Sequence, residues 1–265
     1  MTWQRRRAPE RIVCLTEEPT EILYALGQED RIVGISAYTE RPALAKRDKP
    51  VVSAFIGGSV DKIRALEPDM IIGFSDIQAD LARDLIKNNL PVLIFNQRSI
   101  QEILDVITMV GQLVGQEQRA AELVDMHIAH LHDVRAAAAK LPRRPRVYFE
   151  EWDEPLITAI EWVGELIEIA GGENIFADRA NGKLASERFV THEEIRSANP
   201  ELVAACWCGK KVDLESIAAR EGYADIEAVR NEQLVELDPA IMLQPGPACL
   251  SDGVDALAAA IAETC

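Results

Sequence analysis

The sequence predicts an α/β protein of two lobes joined by a single long helix, with a ligand cleft between the lobes. Three observations predict it: strand, loop and helix patterns alternate along the chain, one charged helical stretch divides them, and the two halves partly repeat each other. The dividing stretch, residues 117–140, places Val124, Ile128, Leu131 and Val134 at spacings of three and four, with Glu117, Arg119, Asp125, His127 and Asp133 elsewhere. At about 1.5 Å per residue it reaches roughly 36 Å, enough to cross a small domain. Leu141, Pro142 and Pro145 end it. The predicted organisation is therefore a lobe over residues 1–115, a spine over 116–141 and a second lobe over 142–265.

In the first half, residues 11–15 read as a buried strand, and Thr16, Glu17, Glu18, Pro19 and Thr20 as an acidic turn into a helix that Gly27 stops. Residues 31–36 form a second strand, followed by a long connection over 37–53 that carries Tyr38, Pro42 and Pro50. Phe55, Gly57 and Gly58 precede a short helix over 60–66, and Pro68 leads into a strand over 70–74. Ser75, Asp76 and Gln78 open a helix ending near Asn88 and Asn89; residues 91–95 are a strand leaving through Asn96, Gln97, Arg98 and Ser99; a helix over 100–114 closes the half.

The second half restarts with a strand over 146–150, whose exit loop is Glu151, Trp152, Asp153, Glu154 and Pro155. A helix over 162–170 stops at Gly171 and Gly172, a short helix covers 193–198, and a strand over 201–207 leaves through Cys208 and Gly209. Helical segments near 214–220 and 226–229, a strand over 233–237, the turn Pro245, Gly246 and Pro247, and a helix over 252–264 finish the chain. Asp61, Ile63, Arg64, Pro68, Asp69, Met70 and Ile71 match Glu193, Ile195, Arg196, Pro200, Glu201, Leu202 and Val203 at a constant offset of 132 residues. In open parallel sheets ligands sit where loops leave the carboxyl ends of the strands, so both sets of exit loops are expected to face the cleft.

Composition narrows the partners. Among 265 residues, 28 Lys and Arg face 44 Asp and Glu, and a net charge of -16 repels nucleic acid and anionic lipid. Arg5, Arg6 and Arg7 resemble the basic start of an export signal, but Ala8, Pro9, Glu10 and Arg11 follow instead of an apolar run. No stretch suits a membrane span, so a cytoplasmic monomer is expected, or a periplasmic or surface-anchored one where a leader has been removed. Cys14, Cys206, Cys208, Cys249 and Cys265 are odd in number and irregular in spacing, which points to reduced thiols.

Several motifs are more specific: Glu151-Trp152-Asp153-Glu154-Pro155, the run Trp162 to Ile167 ending at Gly171-Gly172, Trp207-Cys208-Gly209-Lys210, and Gln244-Pro245-Gly246-Pro247. With Thr20 to Leu23 and the paired Asp61 and Glu193 segments, they resemble the class of ABC-transporter solute-binding proteins in which one helix joins two Rossmann-like lobes, in particular its cobalamin-binding branch. The resemblance implies non-catalytic binding of cobalamin or a related corrinoid, with no cofactor required and an ABC permease as a possible partner. It implies permease docking through Asp61 and Glu193, against the alternative that both merely favour helix N-termini. It also places an aromatic ligand contact at Phe55; the corresponding residue of the second lobe is Glu187, which departs from the pattern.

A corrinoid is a broad apolar disc with amide arms, so its site needs flat aromatic walls and a few neutral hydrogen-bonding groups. Tyr38, Phe55, Trp152 and Trp207 are the candidate walls, set against tryptophans packed under their own loops; Trp162 reads as core. Glu17, Glu18, Asp76, Gln97 and Arg98 are polar groups at strand ends, and Pro245 belongs to the turn named above. Cys206 and Cys208, if on one strand, share a face, and Cys208 then offers a thiolate to corrinoid cobalt; the commoner alternative is that both are small buried side chains. His127, His130 and His132 read as a solvated helix face, and His192 as a helix-start residue. Four histidines argue against a multi-histidine metal site. A ferric siderophore or haem is the alternative ligand, marked by cationic exit-loop residues, here mainly Arg98 and Lys210. A cytosolic corrinoid- or metal-handling enzyme using Cys206 or Cys208 is the alternative from another class. No phosphate-binding glycine loop, nucleophile elbow or Cys-x-x-Cys supports catalysis, and the adjacent Glu150 and Glu151 point to opposite sides of a strand.

Overall fold

The computed structural model describes residues 8–54 and 56–265, so Arg5, Arg6, Arg7 and the candidate wall Phe55 lie outside the described residues. Contacts divide the chain into two units. The first comprises the described residues up to Gln97 with Gln101–Met126, and the second Arg98–Ile100 with His127–Cys265.

The first unit is built on five parallel strands, β1 (Ile12–Cys14), β2 (Ile32–Ser36), β3 (Val51–Ser53), β4 (Met70–Phe74) and β5 (Val92–Phe95), in the order β3-β2-β1-β4-β5. The central strands are near-continuous apolar runs because helices cover both faces of a parallel sheet. Val13 pairs with Ile71 and Ile71 with Val92, and their side chains join Leu15, Ile63 and Leu85 in one core. Strand β3 and the helix Ala45–Asp48 both fall in the stretch expected to be an irregular connection. Three residues, one exposed and two buried, are too short to show a period, and pairing with β2 is what makes them a strand. The chain runs outward from β1 to β3 and then crosses back to β4 on the far side of β1. That reversal opens a crevice at the carboxyl ends of β1 and β4.

The second unit holds β6 (Arg146–Asp153), β7 (Leu156–Thr158), β8 (Glu173–Asn174), β9 (Leu202–Ala205) and β10 (Leu234–Glu236), ordered β10-β9-β6-β7 with β8 beside β6. Here the expected exit loop is corrected: Glu151, Trp152 and Asp153 continue β6, and the chain turns at Glu154 and Pro155 into antiparallel β7. Pairing of Trp152 with Ile157 and Asp153 with Leu156 extends the strand past its apolar stretch. Tyr148, Val203, Trp207, Ile217 and Tyr223 are buried together beside this sheet.

The repeat is geometric as well as sequential. Ser59 and Thr191 cap the helices Val60–Ala65 and His192–Ala198 by accepting from the Lys62 and Glu194 backbone N–H. Glu67 (φ 47) and Asn199 (φ 44) then take the left-handed conformation before Pro68 and Pro200, and β4 and β9 begin at Met70 and Leu202. Each of these pairs is 132 residues apart.

The long helix is Glu117–Ala138, with residues 117–126 in the first unit and 127–138 in the second. A Cβ added at Gly111 would stand 2.2 Å from the Ala120 Cβ, so glycine is what lets Ile100–Val114 approach it there. His127 is 3% exposed and Ile128 37%, which corrects both the solvated-face expectation and the expected stripe: the buried face runs through Ala120, His127, Leu131 and Val134, and Ile128 lies beside it. No helix among the described residues is long and apolar enough to cross a membrane.

Candidate functional site

In the first unit, Thr16 follows β1 and the helix Glu17–Ala25 starts at once, which puts two adjacent carboxyl groups just past the end of β1. Both are buried. Burial pushes Glu17 up to about 7, with the Glu40 charge adding to it; burial and then the Glu17 charge push Glu18 up to about 8. The Thr16 hydroxyl donates to Glu18 Oε1 at 2.8 Å. Gln78, fully buried, ties the two strand ends together: its Nε2 donates to the Leu15 carbonyl at 3.3 Å and its Oε1 accepts from Phe74 N–H at 3.1 Å. Ser53 Oγ donates to the same Leu15 carbonyl at 3.2 Å.

Exposed apolar side chains stand at other strand ends, Tyr38 after β2 (43% exposed), Ile56 after β3 (65%) and Ile77 after β4 (41%). Ile56 and Ile77 escaped the sequence reading because isolated aliphatic residues in loops carry no period. Asp76 is exposed and accepts from Ser75 Oγ at 2.7 Å. Gln97 and Arg98 are both buried and fall on either side of the unit boundary; the Arg98 carbonyl accepts from Trp162 N–H at 2.8 Å.

In the second unit, the β6–β7 tip and the loop after β9 come together. Lys210 Nζ donates to both Asp153 carboxylate oxygens, at 2.6 and 2.7 Å, and lies 4.6 Å from the ring centre of Trp152 and 4.6 Å from that of Trp207. Trp152 is half-buried and its indole N–H donates to the Glu154 carbonyl at 3.0 Å. Trp207 departs from the expected wall: it is 3% exposed, sits in the core, and donates its N–H to Glu150 Oε1 at 3.2 Å. Glu150, fully buried, is held by both terminal nitrogens of Arg220 at 2.5 and 2.9 Å; Arg220 lies over the Tyr223 ring, and Tyr223 Oη meets His192 Nδ1 at 2.9 Å. A pocket of about 580 Å³ opens beside this network, lined by Asp153, Glu154, Pro155, His192 and Arg220 among others. On the far side of β6, Arg188 grips Glu151 at 2.5 and 2.8 Å.

Cys206 and Cys208 do not share a strand face, because β9 ends at Ala205. Cys206 is buried, which pushes its thiol well above the ordinary range, whereas Cys208 is exposed. The five cysteines are thiols, not disulfides. Pro245 is buried in its turn, near Cys249, whose Sγ contacts the Gly246 carbonyl at 3.2 Å. Burial lowers the His127 pKa, a hydrogen bond to the Leu250 backbone opposing it, and the ring's Nε2 has no partner among the described residues; His130 pairs with Asp255 at 2.9 Å. Trp162 is buried core, as the sequence predicts, and donates to the Met242 carbonyl at 3.0 Å. Asp61 and Glu193 are exposed second residues of their helices, and Asp61 accepts from Arg64 at 3.1 Å. Among the described residues, no group of three or more His, Cys, Asp or Glu is arranged to hold a metal ion.

The sequence profile of the family described as periplasmic binding protein matches residues 12–241. The uncharacterized ABC transporter substrate-binding lipoprotein YvrC of Bacillus subtilis is 26% identical over 97% of this chain and 81% of its own length. The vitamin B12-binding protein of Yersinia pestis is 26% identical over 78% of this chain and 73% of its own. A solved structure, of a possible iron-binding periplasmic solute-binding protein from Staphylococcus epidermidis, superposes with a TM-score of 0.82 at 25% identity, covering 96% of this chain and 99% of that one.

Proposed function

The chain belongs to the periplasmic binding protein family, and from that premise we propose that it captures cobalamin or a related corrinoid, without transforming it, as the substrate-binding partner of an ABC permease. The observation that carries this reading is the strand-end face of the first unit. Tyr38, Ile56 and Ile77 are exposed there, after β2, β3 and β4, and Glu17 and Glu18 are buried after β1. With its pKa near 8, Glu18 is mostly uncharged at neutral pH, so the strand end carries less negative charge than two carboxyl groups in water would. Exposed apolar side chains at the strand ends suit the flat face of a disc with amide arms. In the second unit, Trp152 is the aromatic contribution; Trp207 supports it from the core.

Names of relatives also favour the reading, since one is a vitamin B12-binding protein and another a substrate-binding lipoprotein of an ABC transporter. They favour a site of action outside the cytoplasmic membrane as well. Asp61 and Glu193 are the proposed docking carboxylates: both are exposed, and the internal repeat makes them equivalent. The ligand assignment is tested by the thermal stability of the purified, reduced protein with cobinamide, haemin or a ferric hydroxamate added, because a ligand that binds only the folded chain raises Tm. The reading predicts a rise with cobinamide and a smaller one, or none, with the iron ligands. A rise confined to haemin or the hydroxamate moves the assignment to those ligands.

A further inference from the structure

Lys210 is an exposed lysine held at three points. Its side chain is 41% exposed, yet its ammonium donates to both oxygens of Asp153 and lies 4.6 Å from each of two indole rings. The tie is long-range, joining the loop after β9 to the tip of the β6–β7 hairpin, 57 residues earlier. A lysine free in water samples many rotamers, and a cation over an aromatic face is attracted by the ring quadrupole. Two faces and a bidentate carboxylate converging on one ammonium restrict both the lysine and the rings around it. Trp207 is buried in the core and held by Glu150, whereas Trp152 is half-buried, packed against the edge of that core and donating to the Glu154 carbonyl, so Trp152 is the ring that gains more order from Lys210.

We propose that Lys210 is a positioning residue for ligand capture, acting as a clamp that holds the Trp152 indole in one orientation at the strand-end face of the second unit. This rests on the binding function proposed above, and it adds a selectivity. Because Asp153 neutralises the ammonium, Lys210 itself adds no net charge beside the aromatic surface. The clamp therefore favours contact with an apolar ligand face over recognition of an anionic group. Fixing the ring before the ligand arrives also lowers the ordering cost of binding.

The test compares wild type with Lys210→Met, which keeps the stem and removes the charge, and Lys210→Arg, which keeps the charge and the reach to Asp153. Acrylamide quenching of tryptophan fluorescence in the ligand-free protein, with a Trp152→Phe variant to identify the Trp152 signal, reads the order of the ring. Titration with hydroxocobalamin reads capture. The expected result is stronger quenching of Trp152 and about tenfold weaker binding in Lys210→Met, with Lys210→Arg returning both toward wild type. Unchanged quenching of Trp152 in Lys210→Met overturns the clamp whether or not a corrinoid binds. Increased quenching with unchanged affinity overturns its part in capture. Absence of corrinoid binding in wild type fails the ligand assignment separately; Lys210 then remains a clamp on Trp152 if quenching responds, and its role in capture falls with the ligand.

Discussion

Glu17 and Glu18 carry the clearest pH dependence. In the folded chain their pKa values stand at about 7 and about 8 against 4.5 for an unperturbed group, so the folded state holds protons that the unfolded state has released. Stability is therefore fullest below the unfolded value near 4.5 and declines as pH rises through 7 and 8. Glu18→Gln removes the ionisation while keeping a neutral hydrogen-bonding group. It should be more stable than wild type at pH values above the Glu18 pKa, by on the order of 2–4 kcal/mol in urea unfolding, with the gap closing at acidic pH. An equal gap at all pH values would mean that the charge of Glu18 is not its source. His127 works in the opposite direction: its burial lowers its pKa, so the neutral ring favours the fold near neutrality and this contribution fades as pH falls below 6.5.

The short helices and the strands of the repeated helix-to-strand segment were legible because Pro68 and Pro200 and the matching residues around them are local signals. The caps Ser59 and Thr191 and the left-handed Glu67 and Asn199 emerge only from the backbone geometry. Strand β7 and the extension of β6 were not legible, since Trp152 becomes strand only through pairing with Ile157 across a turn. Trp207 looked like a site wall because it lies at a strand end, and the core that buries it is assembled from residues as distant as Tyr148 and Tyr223. Lys210 was legible only as a loop cation; its two indoles and carboxylate converge through the tertiary fold. The repeated helices also carry the docking proposal. Asp61→Ala and Glu193→Ala should leave hydroxocobalamin affinity unchanged and together lower permease ATPase stimulation at least tenfold, because each removes an exposed charge from a helix start. Full stimulation by the double variant would return both residues to a purely helix-favouring role.

The family assignment and the repeat describe a binding protein of duplicated α/β architecture, and the proposed ligand rests on the chemistry of each strand-end face. The first unit has exposed Tyr38, Ile56 and Ile77 and two buried carboxyl groups of raised pKa at its strand ends; the second has Trp152 beside Lys210 and a polar network in which Glu150, Arg220, Tyr223 and His192 satisfy one another. The net charge of -16 disfavours anionic ligands as a whole. A neutral corrinoid amide periphery fits that balance better than the carboxylates of haem or of an anionic siderophore. The most direct measurement is a titration of the purified, reduced protein with hydroxocobalamin, following the corrinoid absorption bands and tryptophan fluorescence together. Saturable one-to-one binding with coincident changes in both signals is the predicted result. No saturable change in either signal up to high micromolar corrinoid would contradict the assignment.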